Sequence, residues 1–393
     1  MIPYEAESQT RRTAVVIAPF SPGLAAPHLG AAKKIELVLG LLYRLRFELH
    51  LVDSAHPTLA FARELYSCPS QVGDTPIRLW RPPCFPNRKL GKLINVALAH
   101  GFMRNLLALS PDLVWVYNSY SFEARAALFL KQRSRCKVVL ELEDLPLARR
   151  RSLNPKPWLD QYYFPRLLAN SDLVTCVNAG LLDLPELASR RKMLLPSLLQ
   201  QELVDAPATP RFGHAGRRLG YFGGLDAEKG ALILLQLVPV MPASWRLVVT
   251  GAGEFEDQFR LAQERHPDRI EYHGRVSNEE VIRLMRSCDA IVNPHSPITL
   301  MKGGVFPFKV CEALASGAVL ISTALPPIEI DLASSVQFFD GSLLGLQAAI
   351  ESAPVFYKSH ATDITRTRDS VCRRYSEAAV MQKLRVELDG ILA

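Results

Sequence analysis

Lys309 and Glu312 stand three residues apart in the run Phe306-Pro307-Phe308-Lys309-Val310-Cys311-Glu312-Ala313-Leu314-Ala315-Ser316-Gly317. Both fall where a helix would open; Gly317 would stop that helix, and the apolar residues 318–322 would follow as a strand. A helix N-terminus offers free N–H groups and a positive dipole end. A lysine and a carboxylate placed there suit phosphates and sugar hydroxyls. The pattern points to a ligand site above a parallel sheet rather than to a core.

Several other turns hold residues able to do chemistry. Tyr221-Phe222-Gly223-Gly224 runs into Leu225-Asp226-Ala227-Glu228-Lys229-Gly230. Glycines directly after a strand let backbone approach a ligand, and Lys229 at the next helix start would reach a phosphate. Read alone, the pair is also what a plain structural turn looks like. Gly251-Ala252-Gly253 lacks the third glycine of a dinucleotide fingerprint and reads as a tight strand-to-helix turn. Gly274-Arg275-Val276 follows a third strand, and Ser277 with Glu280 predicts a capping box, which makes Glu280 structural. His295, Lys302, Gly303 and Gly304 make the loop before the opening run polar, although a lone loop histidine is more often incidental than catalytic.

In the first half, residues 138–144 (Val-Val-Leu-Glu141-Leu-Glu143-Asp144) end a strand in carboxylates at its carboxyl edge, where α/β proteins bind ligands. Glu143 and Asp144 could orient an acceptor hydroxyl; a solvated sheet edge or a helix cap would look the same. Arg149-Arg150-Arg151 reads as a solvated loop. Residues 87–107 form a basic amphipathic stretch that suits either a core-packing helix or contact with an anionic membrane.

The elements that must position these residues alternate. Apolar, strand-like runs at 14–18, 48–52, 77–80, 113–116, 137–142 and 173–177 are separated mostly by helix-period segments, such as 31–45. The alternation restarts at 218–222, 246–250, 270–273, 290–292 and 319–322 after the proline- and glycine-bearing stretch 195–216, which reads as a linker. Such alternation predicts parallel sheets covered on both faces. A chain of 393 residues is too long for one ordinary core. Two domains are expected, 1–200 and 201–374, followed by an amphipathic helix over 375–393.

Residues 1–200 hold 26 Lys and Arg against 16 Asp and Glu, while 201–393 hold 20 against 23. The basic first half suggests an anionic partner, or general solubility charge. Seven scattered cysteines with no C-x-x-C pair argue against a disulfide framework or a zinc site and suit a reducing cytoplasm. The first residues show no secretory signal, and no apolar run is long enough to span a bilayer. A cytoplasmic location, with association at the inner membrane face as an option, is the expectation.

The order and spacing of the second-half turns resemble the C-terminal domain of retaining glycosyltransferases of the GT-B fold, in the large glycogen-synthase-like family. The resemblance is dense over residues 218–326 and pattern-level over 1–200. It implies two Rossmann-like α/β/α domains facing a cleft, with the C-terminal helix packing back on the N-terminal domain. The N-terminal domain would bind a saccharide or lipid-linked acceptor and the C-terminal one a nucleotide-sugar donor. In the family, the position of Glu312 grips the donor ribose, that of Lys229 contacts the diphosphate, and the turn at Arg275 and Val276 borders the base. Gly23, in Ser21-Pro22-Gly23, matches the loop after strand one, which meets the sugar diphosphate or acceptor. Gly223, Gly224, Gly251, Phe306, Pro307, Phe308 and Lys309 complete the expected donor site. Lys229, Lys309, Glu143 and Asp144 are the candidates for catalysis. The chain departs from the family at Gly224, where an arginine is common, at Gly304, where a second glutamate is common, and at Val305 and Pro307, which replace glycines. Lys309 could supply charge in their place. No Asp-x-Asp pair occurs, so no cofactor or metal is expected. The expected activity is glycosyl transfer with retention, in polysaccharide or glycoconjugate synthesis. An epimerase of the same fold, or a non-catalytic binding subunit, is the alternative; nucleic-acid binding is suggested only by charge.

Overall fold

A computed structural model describes residues 11–20, 29–55, 67–82, 100–143, 155–195, 198–207, 209–213, 216–295, 308–325 and 330–393. The chain divides into two compact units. The first comprises Met1–Val177, Leu182–Leu195 and Met381–Ala393; the second comprises Asn178–Leu181 and Pro196–Val380.

The first unit is built on strands β1 (Arg12–Ala18), β2 (Phe47–Asp53), β3 (Ser67–Val72), β4 (Thr75–Trp80), β5 (Leu113–Tyr117), β6 (Lys137–Leu142), β7 (Leu173–Cys176) and β8 (Lys192–Leu194). They form one sheet in the order β3-β4-β2-β1-β5-β6-β7-β8, parallel except for the β3–β4 hairpin at its edge. Its central strands are near-continuous apolar runs, Leu113–Tyr117 being buried at every position. That is the mark of a sheet covered on both faces. The crossovers include α1 (Leu29–Arg44), α2 (His100–Leu107), α3 (Ser121–Arg133) and α4 (Pro155–Asn170). Phe102, Met103 and Leu106 of α2 are buried, so the described end of the basic amphipathic stretch packs on a core. Residues 87–99 of that stretch lie outside the described residues.

In the second unit, β9 (Arg217–Phe222), β10 (Trp245–Thr250), β11 (Ile270–Tyr272), β12 (Ala290–Asn293), β13 (Val319–Ser322) and β14 (Val336–Phe338) pair in parallel in the order β11-β10-β9-β12-β13-β14. A core of Leu219, Tyr221, Leu247, Val249, Val292 and Ile321 forms where the strands meet the inner faces of their helices. Those helices include α5 (Ala231–Val240), α6 (Glu256–Arg265), α7 (Asn278–Ser287) and α8 (Phe308–Ser316). The strand order reverses between β9 and β12, which opens a crevice beyond their carboxyl ends.

The Ser277 hydroxyl caps α7 by accepting from the Glu280 N–H at 3.3 Å. The reciprocal half of the expected capping box is not made, because the Glu280 carboxylate turns to Arg283 at 2.7 Å. The one-sided cap still offsets an orphan N–H, and Ser277→Ala is expected to cost about 1 kcal/mol. Urea denaturation of the paired proteins checks this; an unchanged midpoint would remove the cap from the account.

The final elements are α9 (Leu343–Tyr375) and α10 (Glu377–Leu392), broken at Ser376, whose ψ of 150° is extended. The last helix therefore starts two residues later than expected, and Tyr375 closes the helix before it. Met381–Ala393, which include most of α10, belong to the first unit, where Glu387 pairs with Arg191 at 2.5 Å. No described helix is long and apolar enough to cross a membrane.

Candidate functional site

Three glycine turns line the carboxyl edge of the second sheet side by side. The Gly223 N–H donates to the Thr250 carbonyl at 3.1 Å, and the Gly251 N–H to the Gly274 carbonyl at 2.7 Å. Gly251 has φ +129°, and a Cβ there would lie 1.8 Å from the Gly223 carbonyl oxygen. Only glycine lets the two turns approach so closely. The hydroxyl of Tyr272 fixes the second turn by donating to the Gly251 carbonyl at 2.9 Å. What reads as an ordinary turn in the sequence is thus a load shared by two strands' ends.

Beside these turns lie two lysines from different elements. Lys229 pairs with Asp226 at 2.5 Å. Burial acts to raise the Asp226 carboxyl, but the hydrogen bond and charge of Lys229 outweigh it and hold the carboxyl below its usual range. Lys309, in the first turn of α8, reaches the same place from the other side of the crevice. Its Nζ lies 4.1 Å from the centroid of the Tyr221 ring. That Nζ is buried and has no hydrogen-bond partner among the described residues. Burial, and then the neighbouring Lys229 charge, lower the Lys309 amine to about 7. The Tyr221 hydroxyl is turned away, donating to the Gly224 carbonyl at 2.6 Å, and burial, with Asp226, raises its pKa.

The departure at Gly224 has a physical counterpart here. A Cβ at 224 would stand 2.7 Å from Lys229 Nζ and 3.0 Å from Asp226 Oδ2, so the ion pair occupies that space. One residue earlier, a Cβ at Gly223 would lie 3.5 Å from Lys309 Nζ. Lys229 and Asp226 therefore crowd the position where a side chain at 224 would begin.

Glu312, half-buried, lies one turn along α8 from Phe308. Arg275 is exposed and Val276 half-buried in the turn after β11. Gly317 ends α8 with φ +71°, its N–H bonded to the Leu314 carbonyl at 3.1 Å. His295 is buried, and its carbonyl accepts from Thr323 Oγ1 at 2.7 Å. Phe306, Pro307, Lys302, Gly303 and Gly304 lie outside the described residues, as does the side chain of Phe308.

In the first unit Glu141 and Glu143, at the acidic end of β6, are buried rather than solvated. Glu141 and Glu143 turn toward Lys34 of α1, whose Nζ lies 3.4 Å from Glu141 Oε1 and 3.2 Å from Glu143 Oε1. The same amine donates to the Leu195 carbonyl, and Trp115 Nε1 donates to Glu141 Oε2 at 2.8 Å. Burial works to lower the Lys34 amine, but the charges of Glu143 and Glu141 outweigh it and raise it. Burial raises the Glu141 carboxyl against the pull of Lys34. The Glu143 N–H is held by the Asn118 side chain at 2.8 Å. Lys34 stands in no motif, and nothing in the sequence distinguishes it from its neighbour Lys33. Asp144, Gly23 and Arg149–Arg151 lie outside the described residues. Among the described residues, no group of three or more His, Cys, Asp or Glu could hold a metal ion.

Two parallel α/β units with a crevice of this kind in the second match solved structures over nearly the whole chain. A sucrose-phosphate synthase from Thermosynechococcus elongatus is 13% identical, with a TM-score of 0.68, covering 97% of this chain and 99% of that one. HepE from Anabaena, solved in complex with UDP, is 15% identical with a TM-score of 0.67, covering 96% and 100%. A glycosyltransferase from Rickettsia africae is 14% identical with a TM-score of 0.67, covering 98% and 99%. At these identities the likeness is one of fold, and that fold is GT-B. Residues 216–333 match the family described as Glycosyl transferases group 1. Residues 216–333 are thus similar to group 1 glycosyltransferases, within a chain that has the GT-B fold. No curated protein sequence matches it.

Proposed function

We propose that the protein transfers a glycosyl group from a nucleoside diphosphate sugar to an acceptor hydroxyl, with retention of anomeric configuration. The setting would be polysaccharide or glycoconjugate synthesis. The observation that carries this reading is the placement of Lys229 and Lys309 beside the Gly223 turn, the Lys309 Nζ being buried with no hydrogen-bond partner among the described residues, at the strand-order reversal of the family-matched domain. A buried cation without a partner is costly, and an anionic ligand relieves that cost. HepE, which shares the fold, is solved with UDP and with UDP-glucose.

In this reading the diphosphate lies against Lys229, Lys309 and the N-terminus of α8, with Phe306 and Pro307 as further candidate contacts. As the bond to the sugar breaks, negative charge grows on the leaving phosphate, and preorganised cations stabilise it. This chain's own lysines do that work, so no cofactor or metal is assigned; EDTA is expected to leave activity unchanged. Glu312 accepts hydrogen bonds from the ribose hydroxyls, and the turn at Arg275 and Val276 borders the base. The acceptor would be bound by the first unit, with Glu143, Asp144 and Gly23 as its candidate contacts.

A thermal-shift screen with UDP-, GDP- and ADP-sugars tests donor binding, since a ligand of the native state raises its melting temperature. No shift with any of them would return the protein to a binding subunit without this ligand. Glu312→Ala is expected to weaken binding of the donor so found by roughly 10- to 100-fold, the cost of about 1.5–3 kcal/mol for charge-assisted hydrogen bonds. Unchanged affinity would displace the ribose from Glu312.

A further inference from the structure

We infer that Lys309 is a proton-coupled phosphate ligand: its amine is uncharged in the empty donor site and takes up a proton when a nucleoside diphosphate enters. The inference rests on the donor reading above and adds to it a dependence of donor affinity on pH.

The geometry that carries it is the placement of Nζ. It is buried, has no hydrogen-bond acceptor among the described residues, and is 4.1 Å from the Tyr221 ring centroid. Of the charged groups around it, Lys229 from the turn after β9 repels its positive form. Asp226, the nearby carboxylate on that turn, is committed to Lys229 at 2.5 Å. The Tyr221 hydroxyl is committed to the Gly224 carbonyl. Glu312 shares its helix, one turn beyond the start. An aromatic face alone offers a cation far less than water does. These surroundings agree with an amine lowered to about 7.

A diphosphate reverses the balance. It brings acceptor oxygens and negative charge to the place where Nζ has neither, which favours the ammonium form. One N–H bond forms on Lys309, with the proton drawn from the buffer, and it returns there when the diphosphate leaves. Lys309 thus gains its charge only with ligand present.

The test is calorimetric titration with UDP, GDP and ADP at pH 8, where their phosphates are already fully ionised, in buffers of differing ionisation enthalpy. The wild-type protein is expected to take up close to one proton per nucleotide bound. Its affinity should fall about tenfold per pH unit above 7. Lys309→Arg, charged at all these pH values, should bind with no uptake and with a flat profile. Lys309→Met should bind more weakly, also without uptake. Nucleotide binding without uptake in the wild type, or equal uptake in Lys309→Arg, would overturn the inference. If none of the three nucleotides binds, the donor reading itself fails and this inference falls with it.

Discussion

Lys34→Met is expected to destabilise the first unit by about 3–5 kcal/mol, because it leaves Glu141 and Glu143 buried without their cation. Glu141 also accepts from the Trp115 indole, and the Asn118 side chain holds the Glu143 backbone N–H; neither of these groups is a cation. The Leu195 carbonyl loses its donor as well. The loss should appear as faster hydrogen exchange at the amides of β6 and β7, with the second unit unaffected. Adding Glu141→Gln and Glu143→Gln to Lys34→Met should recover much of the loss, since neutral amides are cheaper to bury. Wild-type exchange in Lys34→Met would show that the cluster contributes nothing. The pH dependence follows the same pairing. Lys34 is raised above its ordinary value, so its stabilisation is fully present below about 10.5 and is lost as pH rises through the higher folded value.

Gly251→Ala is expected to be still more severe, at about 4 kcal/mol or more, and to abolish nucleotide binding in whatever folds. The added Cβ would sit 1.8 Å from backbone, and φ +129° is a conformation that L side chains rarely adopt. Gly223 would have to move, and with it the turn beside which Lys229 and Lys309 meet. Gly274→Ala is the control. There φ is +64° and the nearest atom to the added Cβ is the Tyr272 hydroxyl at 3.9 Å, so the cost should be about 1 kcal/mol. Thermal unfolding and nucleotide titration of both variants check this contrast. Equal effects would mean that the Gly223–Gly251 approach has no special role.

Much of the architecture is legible before folding. The central strands are long apolar runs between turn residues, and burial on both faces explains why they need no alternation. The strands that escape such reading are β3, β8 and β14. β3 has the sequence Ser-Cys-Pro-Ser-Gln-Val and is largely exposed at a sheet edge, where it is held by a hairpin rather than by hydrophobicity. β8 and β14 are only three residues long, too short to show a period. Likewise the boundary between α9 and α10 depends on the extended backbone of one serine, for which the amphipathic pattern carries no signal.

The residue types of the second-unit site, their order along the chain and their likeness to a family are properties of sequence alone. Lys229, Lys309 and Glu312 are recognisable because each stands at a fixed offset from a glycine or a strand end. That Lys309 lies over Tyr221, with no hydrogen-bond partner among the described residues, depends on two residues 88 positions apart meeting at the strand-order reversal. The same division holds in the first unit. Lys33 and Lys34 are adjacent and chemically identical, yet Lys33 is exposed and Lys34 is buried between two carboxylates. One step along a helix turns a side chain by about 100°, and only packing decides which of the two lysines faces inward. Composition and spacing thus set which groups are present, while the charge each one carries depends on burial and neighbours, which exist only in the folded protein.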